Sequence, residues 1–155
     1  IIHAFTTEKY LREVTLPAID RGLAKAGRSR ADFEISYPGF VGTGHTEEAF
    51  NANMAATRKQ IAFYGSTPAY APVLGMHGWG DLQPELNKLS KQGLWDDMAN
   101  LITGDILNEF AVVGEPEAAV DVFKGRFSDV VDRTMGNFAG KDEDHSRALL
   151  ARLNA

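Results

Sequence analysis

Phe33-Glu34-Ile35-Ser36-Tyr37 alternates apolar and polar residues, the period of a strand with one buried face, and the run extends to Val41. Pro38-Gly39 inside it predicts a bulge or a bend. Ile1 to Phe5 is a short apolar run that predicts a buried strand. Val130-Val131 opens a third strand, running to about Met135. Phe110 to Val113 is a further short apolar segment, closed by Gly114.

Elsewhere the period is helical. Thr6 or Thr7 can cap a helix with Glu8 in its first turn. Pro17 interrupts that helix and is tolerated best where a helix restarts. Ile19, Leu23 and Ala26 continue it until Gly27. Thr46 caps a second helix, with Glu47 and Glu48 in the first turn and Phe50, Met54 and Ile61 on one face, ending near Tyr64-Gly65. Residues 66 to 83 carry little periodicity. Leu82, Leu86 and Leu89 then mark a short helix between Pro84 and Gly93, and another runs from Trp95 to Ile102. Pro116 starts a helix with Ala119, Val120, Phe123 and Phe127 as its stripe. The tail from Asp142 carries Leu149, Leu150 and Leu153 on one side. No internal repeat or low-complexity tract interrupts this order. Strands alternating with helices predict α/β architecture with parallel strands. Three strands are few for so many helices, and the chain opens Ile1-Ile2-His3 without Met. Both features lead us to expect a part of something longer.

Composition narrows the function classes. The 155 residues are one domain's worth, 44% hydrophobic and 24% charged. The formal net charge of -5 comes without a local basic patch, so no nucleic-acid partner is expected. Arg28-Ser29-Arg30 reads as a solvated loop. There is no Cys, hence no disulfide and no thiol nucleophile, which is compatible with a cytoplasmic location. No apolar run approaches the roughly 18 residues that would span a bilayer, and no signal peptide is recognisable.

Tyr64-Gly65-Ser66-Thr67-Pro68-Ala69-Tyr70 and the residues through Trp79-Gly80-Asp81 mix Gly, Pro and aromatics. They can bury a flat apolar ligand with hydroxyl, indole and imidazole groups at its edge, or form a loop that packs its own rings. His3, His45, His77 and His145 show neither i, i+4 spacing nor a His-Glu-x-x-His motif, so no metal site is expected. Asp96-Asp97 and Asp142-Glu143-Asp144 read as solvated faces or first-turn charges. No Gly-x-Ser-x-Gly elbow and no Walker motif occurs. Gly42-Thr43-Gly44 is a turn rather than a phosphate cradle.

The ordered set Phe5-Thr6-Thr7, Leu16-Pro17-Ala18, Ala26-Gly27-Arg28, Tyr64 to Tyr70, His77-Gly78-Trp79 and Val113-Gly114-Glu115-Pro116-Glu117 resembles the bacterial luciferase-like monooxygenase superfamily. It is most similar to the actinobacterial branch that uses a deazaflavin coenzyme. The resemblance implies an α/β fold, the C-terminal portion of a (β/α)8 TIM-type barrel. Residues 1–155 would be a single partial barrel domain, with Ile1–Phe5, Phe33–Val41 and Val130–Met135 as strands six to eight. Residues 66–113 would be an insertion over the barrel mouth.

The implied function is that of a flavin- or deazaflavin-dependent oxidoreductase. It would transfer hydride at the cofactor ring, with or without oxygen insertion, on a small-molecule substrate. Barrel sites lie at the C-terminal ends of strands. His3 is therefore the candidate catalytic residue, able to accept or donate a proton; the alternative is a structural histidine at a strand end. Phe5, Thr6, Tyr64, Ser66, Tyr70, His77 and Trp79 are candidate substrate or cofactor pocket residues. For Tyr64 and Trp79 the alternative is a core aromatic, and for Thr6 a helix cap. The family often carries a basic residue near Leu94, and its absence weakens an anion-binding role for that loop; Lys91 reads as a surface lysine. The cofactor, a deazaflavin of the F-420 type or FMN, would be held mostly by an N-terminal half outside this chain. Alone, the chain is expected to be inactive, and to pair as a homo-oligomer or with that half. The other functional class open to it is a non-catalytic half-barrel binding or interaction module.

Overall fold

The computed structural model describes residues 2–134 and 143–155. Its spine is the segment from Phe33 to Gly42. Ile35 and Tyr37 are buried on one side of it, as the alternation predicts. Gly39 then bends the chain with φ 63, a conformation that favours glycine. Beyond the bend, β1 (Phe40–Gly42) pairs in parallel with β2 (Ala111–Val113), in the register Phe40↔Ala111, Val41↔Val112, Gly42↔Val113. Before the bend, Ser36 bridges Arg133 in parallel.

Three strand expectations need correction, the first being Phe33–Val41, of which only Phe40 and Val41 lie in β1 while Ser36 makes an isolated bridge. Ile2–Phe5 forms no ladder, and Ile1 lies outside the described residues. The Ile2 N–H donates to the Ser36 carbonyl at 2.8 Å, but the chain then turns, and the Phe5 N–H is captured by His3 Nδ1 at 3.0 Å. A side chain that takes a backbone donor competes with sheet pairing. Val130 and Val131 also stay off the sheet, because both donate to the Phe127 carbonyl at 3.0 and 2.8 Å. Asp132 and Arg133 reach the spine, their N–H groups donating to the Ile35 carbonyl and the Arg133 carbonyl accepting from the Tyr37 N–H, and Met135 lies outside the described residues. Ala111–Val113, expected only as an apolar segment, is the paired strand.

The helices follow their caps. Thr7, not Thr6, caps α1 (Glu8–Tyr10), its Oγ1 accepting from the Tyr10 N–H. A π-helical turn, Leu11–Thr15, leads into α2 (Leu16–Lys25), with Pro17 in its first turn. Thr46 caps α3 (Glu47–Gly65) by accepting from the Ala49 N–H at 3.1 Å. The aperiodic stretch contains a 3-10 turn, Pro68–Tyr70, and α4 (Ala71–Met76). Then come α5 (Leu82–Lys91), α6 (Trp95–Asn100) and α7 (Gly104–Phe110), which runs directly into β2. α8 (Pro116–Phe127) and α9 (Glu143–Asn154) complete the described chain.

Period-two alternation in the strands divides the interior. Phe40 and Ala111 face a first core with Phe5, Ile61, Leu74, Leu86, Met98 and Phe110. Tyr37 and Val112 face a second with Leu11, Val120, Phe123, Phe127 and Leu149. The first is roofed by α3 to α7. The second is closed by the first helical segment, α8 and α9.

Candidate functional site

The eight expected site residues fall into two adjoining groups on the first core, with Ser66 set apart. In the first group the turn before α1 exposes His3 and buries Phe5. The His3 ring meets Tyr64 edge-on at 4.8 Å and lies tilted over Tyr70 at 4.7 Å. Beneath it Phe5 stacks on Phe110 at 4.5 Å and touches Tyr70 at 5.4 Å. Because His3 Nδ1 accepts the Phe5 N–H, the neutral ring carries its proton on Nε2. The group thus presents a ring N–H donor on an aromatic wall.

Thr6 lies beside this turn at 3% exposure. Its Oγ1 is buried without a hydrogen-bond partner among the described residues, although a buried hydroxyl ordinarily finds one. The Thr6 carbonyl accepts from the Tyr37 hydroxyl at 3.4 Å. Burial pushes the Tyr37 phenol well above its ordinary value.

In the second group His77, at the end of α4, places Nε2 2.8 Å from Thr7 Oγ1. Its Nδ1 faces Glu109 Oε1 of α7 at 3.8 Å. Its ring stacks on Trp79 at 4.9 Å and 19°. Burial holds the His77 imidazole below its ordinary value, opposed by Glu109. Trp79 in turn reaches Phe110 at 6.5 Å, joining the two groups. Ser66 closes α3: its hydroxyl donates to the Phe63 carbonyl at 2.7 Å, and its carbonyl accepts from Gln83 and Asn87 at 2.9 and 3.0 Å.

Sequence reasoning missed Glu109 and Phe110 as site neighbours, and treated Thr7 as a helix cap. None of these residues belongs to a spaced motif. Tyr64 also has a second side, where it lines a shallow groove of about 570 Å³ between α3 and α6 with Lys59, Phe63, Trp95 and Met98. Phe63 and Trp95 are 54% and 49% exposed there.

The arrangement presents an apolar aromatic wall with one exposed N–H donor, while the Thr6 hydroxyl lies buried. It supplies no cradle for a phosphate among the described residues. Arg12, Arg30, Arg133 and Arg152 are held by carboxylates elsewhere. Among the described residues no group of three or more His, Asp or Glu could hold a metal ion, and no helix is long and apolar enough to cross a membrane.

Against known proteins, a family model described as luciferase-like monooxygenase matches residues 1–133. An uncharacterized protein of Mycobacterium tuberculosis is 47% identical over 148 residues, which cover 96% of this chain and 44% of that protein. The 5,10-methylenetetrahydromethanopterin reductase of Archaeoglobus fulgidus is 28% identical over 149 residues, covering 90% of this chain and 43% of the reductase. Among solved structures, the coenzyme F420 dependent tetrahydromethanopterin reductase of Methanopyrus kandleri superposes with a TM-score of 0.69 at 20% identity, over 94% of this chain and 41% of that one. The α/β fold is therefore shared with that enzyme. The chain spans less than half the length of these relatives.

Proposed function

The chain belongs to the luciferase-like monooxygenase family, and from that premise we propose that it is the C-terminal portion of a deazaflavin- or FMN-dependent oxidoreductase. The observation that carries this reading is His3. Its exposed imidazole sits on Tyr64 and Tyr70 and is fixed by the Phe5 N–H. When bound, the coenzyme supplies the hydride chemistry. This chain's part is to hold the ring edge with Tyr64 and Tyr70 and to keep a proton on His3 Nε2, where a ligand oxygen or nitrogen can accept it. The phosphate falls to residues beyond this chain. β1 and β2 are read as two staves of a (β/α)8 barrel whose other strands come from further polypeptide or a second copy. Relatives named as reductases favour hydride transfer over oxygen insertion.

Titration with the deazaflavin coenzyme and with FMN tests the reading, on this chain and on a polypeptide of the relatives' full length. We expect binding by the longer polypeptide, little by the 155 residues alone, and about a tenfold loss on His3→Ala. That loss corresponds to roughly 1.4 kcal/mol, the size of one hydrogen bond to a ligand. Unchanged affinity and turnover in His3→Ala would remove His3 from the site. Failure of the longer polypeptide to bind either coenzyme would leave a non-catalytic module.

A further inference from the structure

Thr7 and His77 are 70 residues apart and meet at 2.8 Å. Three satisfaction requirements fix how they meet. Thr7 is 1% exposed, so its hydroxyl proton needs a protein acceptor. Its oxygen already accepts the Tyr10 N–H at 3.2 Å, as the cap of α1. His77 Nδ1 faces the Glu109 carboxylate at 3.8 Å, which draws the ring proton to that nitrogen. The Thr7 hydroxyl is thereby left to donate to His77 Nε2. The order of donors is Tyr10 N–H to Thr7, Thr7 O–H to His77, with His77 Nδ1–H turned toward Glu109. Thr7 is too enclosed to serve as a nucleophile in spite of its hydroxyl–imidazole–carboxylate company.

Two further contacts brace the junction. The His77 ring stacks on Trp79, and Lys9 Nζ reaches the Met76 carbonyl at 3.4 Å. Upstream, the residues just before Thr7 form the turn that carries His3 and the buried Thr6 hydroxyl. Fixing Thr7 fixes where that turn ends.

We propose that His77 is a positioning residue: its acceptor bond from Thr7 locks the end of α4 and Trp79 to the turn that presents His3. The proposal rests on the reading that His3 faces the ligand, but its mechanics are measurable without any ligand. The lock is also proton-sensitive. A second proton on His77 would turn Nε2 into a donor and strand the buried Thr7 hydroxyl. The groups facing the imidazole are Glu109 from α7, which favours the charged ring, Lys9 from α1, which opposes it, and Glu13 from the π-helical turn, which favours it weakly; burial outweighs them.

Nitrogen-15 NMR of the 155-residue protein gives the first test. The expected result is an Nδ1–H tautomer for His77, titrating below the ordinary histidine range. An Nε2–H tautomer at pH 8 would overturn the proposal. Amide hydrogen exchange gives the second. His77→Phe keeps a ring against Trp79 but removes the acceptor. It should speed exchange at the Phe5 and Tyr10 amides at least tenfold while leaving Val120 in α8 unchanged. His77→Gln returns an acceptor near the Nε2 position and should restore most of the protection. Unchanged exchange at Phe5 and Tyr10 overturns the proposal. So does equal acceleration at Val120, which would make His77 a stability residue without local effect. Loss of coenzyme binding by the longer polypeptide would sink the functional reading while these exchange results stood.

Discussion

The two faces of the β1–β2 pair are finished differently. The first face carries Phe40, Phe5, Phe110, Tyr64 and Tyr70, and its rim shows an exposed imidazole and exposed Phe63 and Trp95, with the Thr6 hydroxyl buried nearby. The second face carries Tyr37, Phe123, Phe127 and Val120. Its rim is tied by arginine–carboxylate pairs: Arg12–Asp129 at 2.9 Å, Arg30–Asp132 at 2.7 Å, Arg133–Glu34 at 2.8 Å and Arg152–Asp121 at 2.5 Å. Exposed aromatics with unsatisfied polar atoms are what a surface shows when it awaits another surface. Charge pairs are what it shows when it faces water, although the second face also buries a hydroxyl, Thr134 Oγ1, with no partner among the described residues. The proposed ligand reading rests on the first face, where the exposed rings lie, and the second is finished by charge pairs.

The largest effects come from emptying the cores. Phe110→Ala on the first face and Phe127→Ala on the second should each cost about 3–5 kcal/mol, measured by urea denaturation. Both side chains are buried, but only Phe110 touches Phe5 and Trp79. Native-state tryptophan emission should therefore shift in Phe110→Ala and stay constant in Phe127→Ala. A shift in both would mean that the faces share one packing unit.

A smaller loss, about 1–3 kcal/mol, is expected for Gly44→Ala. The added Cβ would run into the backbone nitrogen of Phe50 at the start of α3. Backbone cannot swing aside as a side-chain tip can. Thermal unfolding would show the loss, and an unchanged midpoint would mean that the turn after β1 relaxes freely.

Several of these features were legible in the sequence. Thr46, Glu47, Glu48 and the Phe50, Met54, Ile61 face mark α3, and Pro116 with its apolar stripe marks α8, because cap and period agree there. Pro38-Gly39 marks the bend. Ile1–Phe5 misled because a short apolar run is compatible with a strand or a packed turn, and His3 decides between them by taking the Phe5 N–H. α4 left no signal: Pro72 and Gly75 are poor helix formers, and burial of Val73 and Leu74 against the first core holds it in place. His3, Phe5, Tyr64 and Tyr70 could be named but not assembled, since no spacing rule joins residue 5 to residue 70. The Thr7–His77–Glu109 cluster lay further still from any motif.

Acidification should separate the faces by pH. His77 is held below its ordinary value, so its neutral form stabilises the fold above about pH 6.5, and that part is lost as the pH falls through its folded pKa. Trp79 emission should follow this step. Asp132 is held below the carboxylate range, first by the Ile35 N–H at 2.7 Å and then by Arg30. Its stabilisation is present above about pH 4 and lost below it. Asp132→Asn should cost about 1 kcal/mol at pH 7, a modest figure because the side chain is 42% exposed and screened. It should also flatten the acid limb while leaving the Trp79 step in place. A single transition for both signals would break the comparison.

The smallest effect is the one that bears most on the site. Thr6 and Thr7 are neighbours, both buried. Among the described residues Thr7 has two hydrogen-bond partners and Thr6 Oγ1 has none. Valine matches threonine in shape and lacks the hydroxyl. Thr7→Val strips the cap from α1 and the donor from His77, and should destabilise. Thr6→Val removes a buried polar group that has no partner, and should be neutral or stabilising by up to about 1 kcal/mol. If that hydroxyl is kept for a ligand, the same substitution should weaken coenzyme binding by the full-length polypeptide while its melting point holds or rises. Stability gained as affinity is lost is the signature of a functional group on the open face. A Thr6→Val protein that melts lower would instead mean that the hydroxyl has a partner in the folded chain, and the reading of Thr6 as a ligand contact would fall.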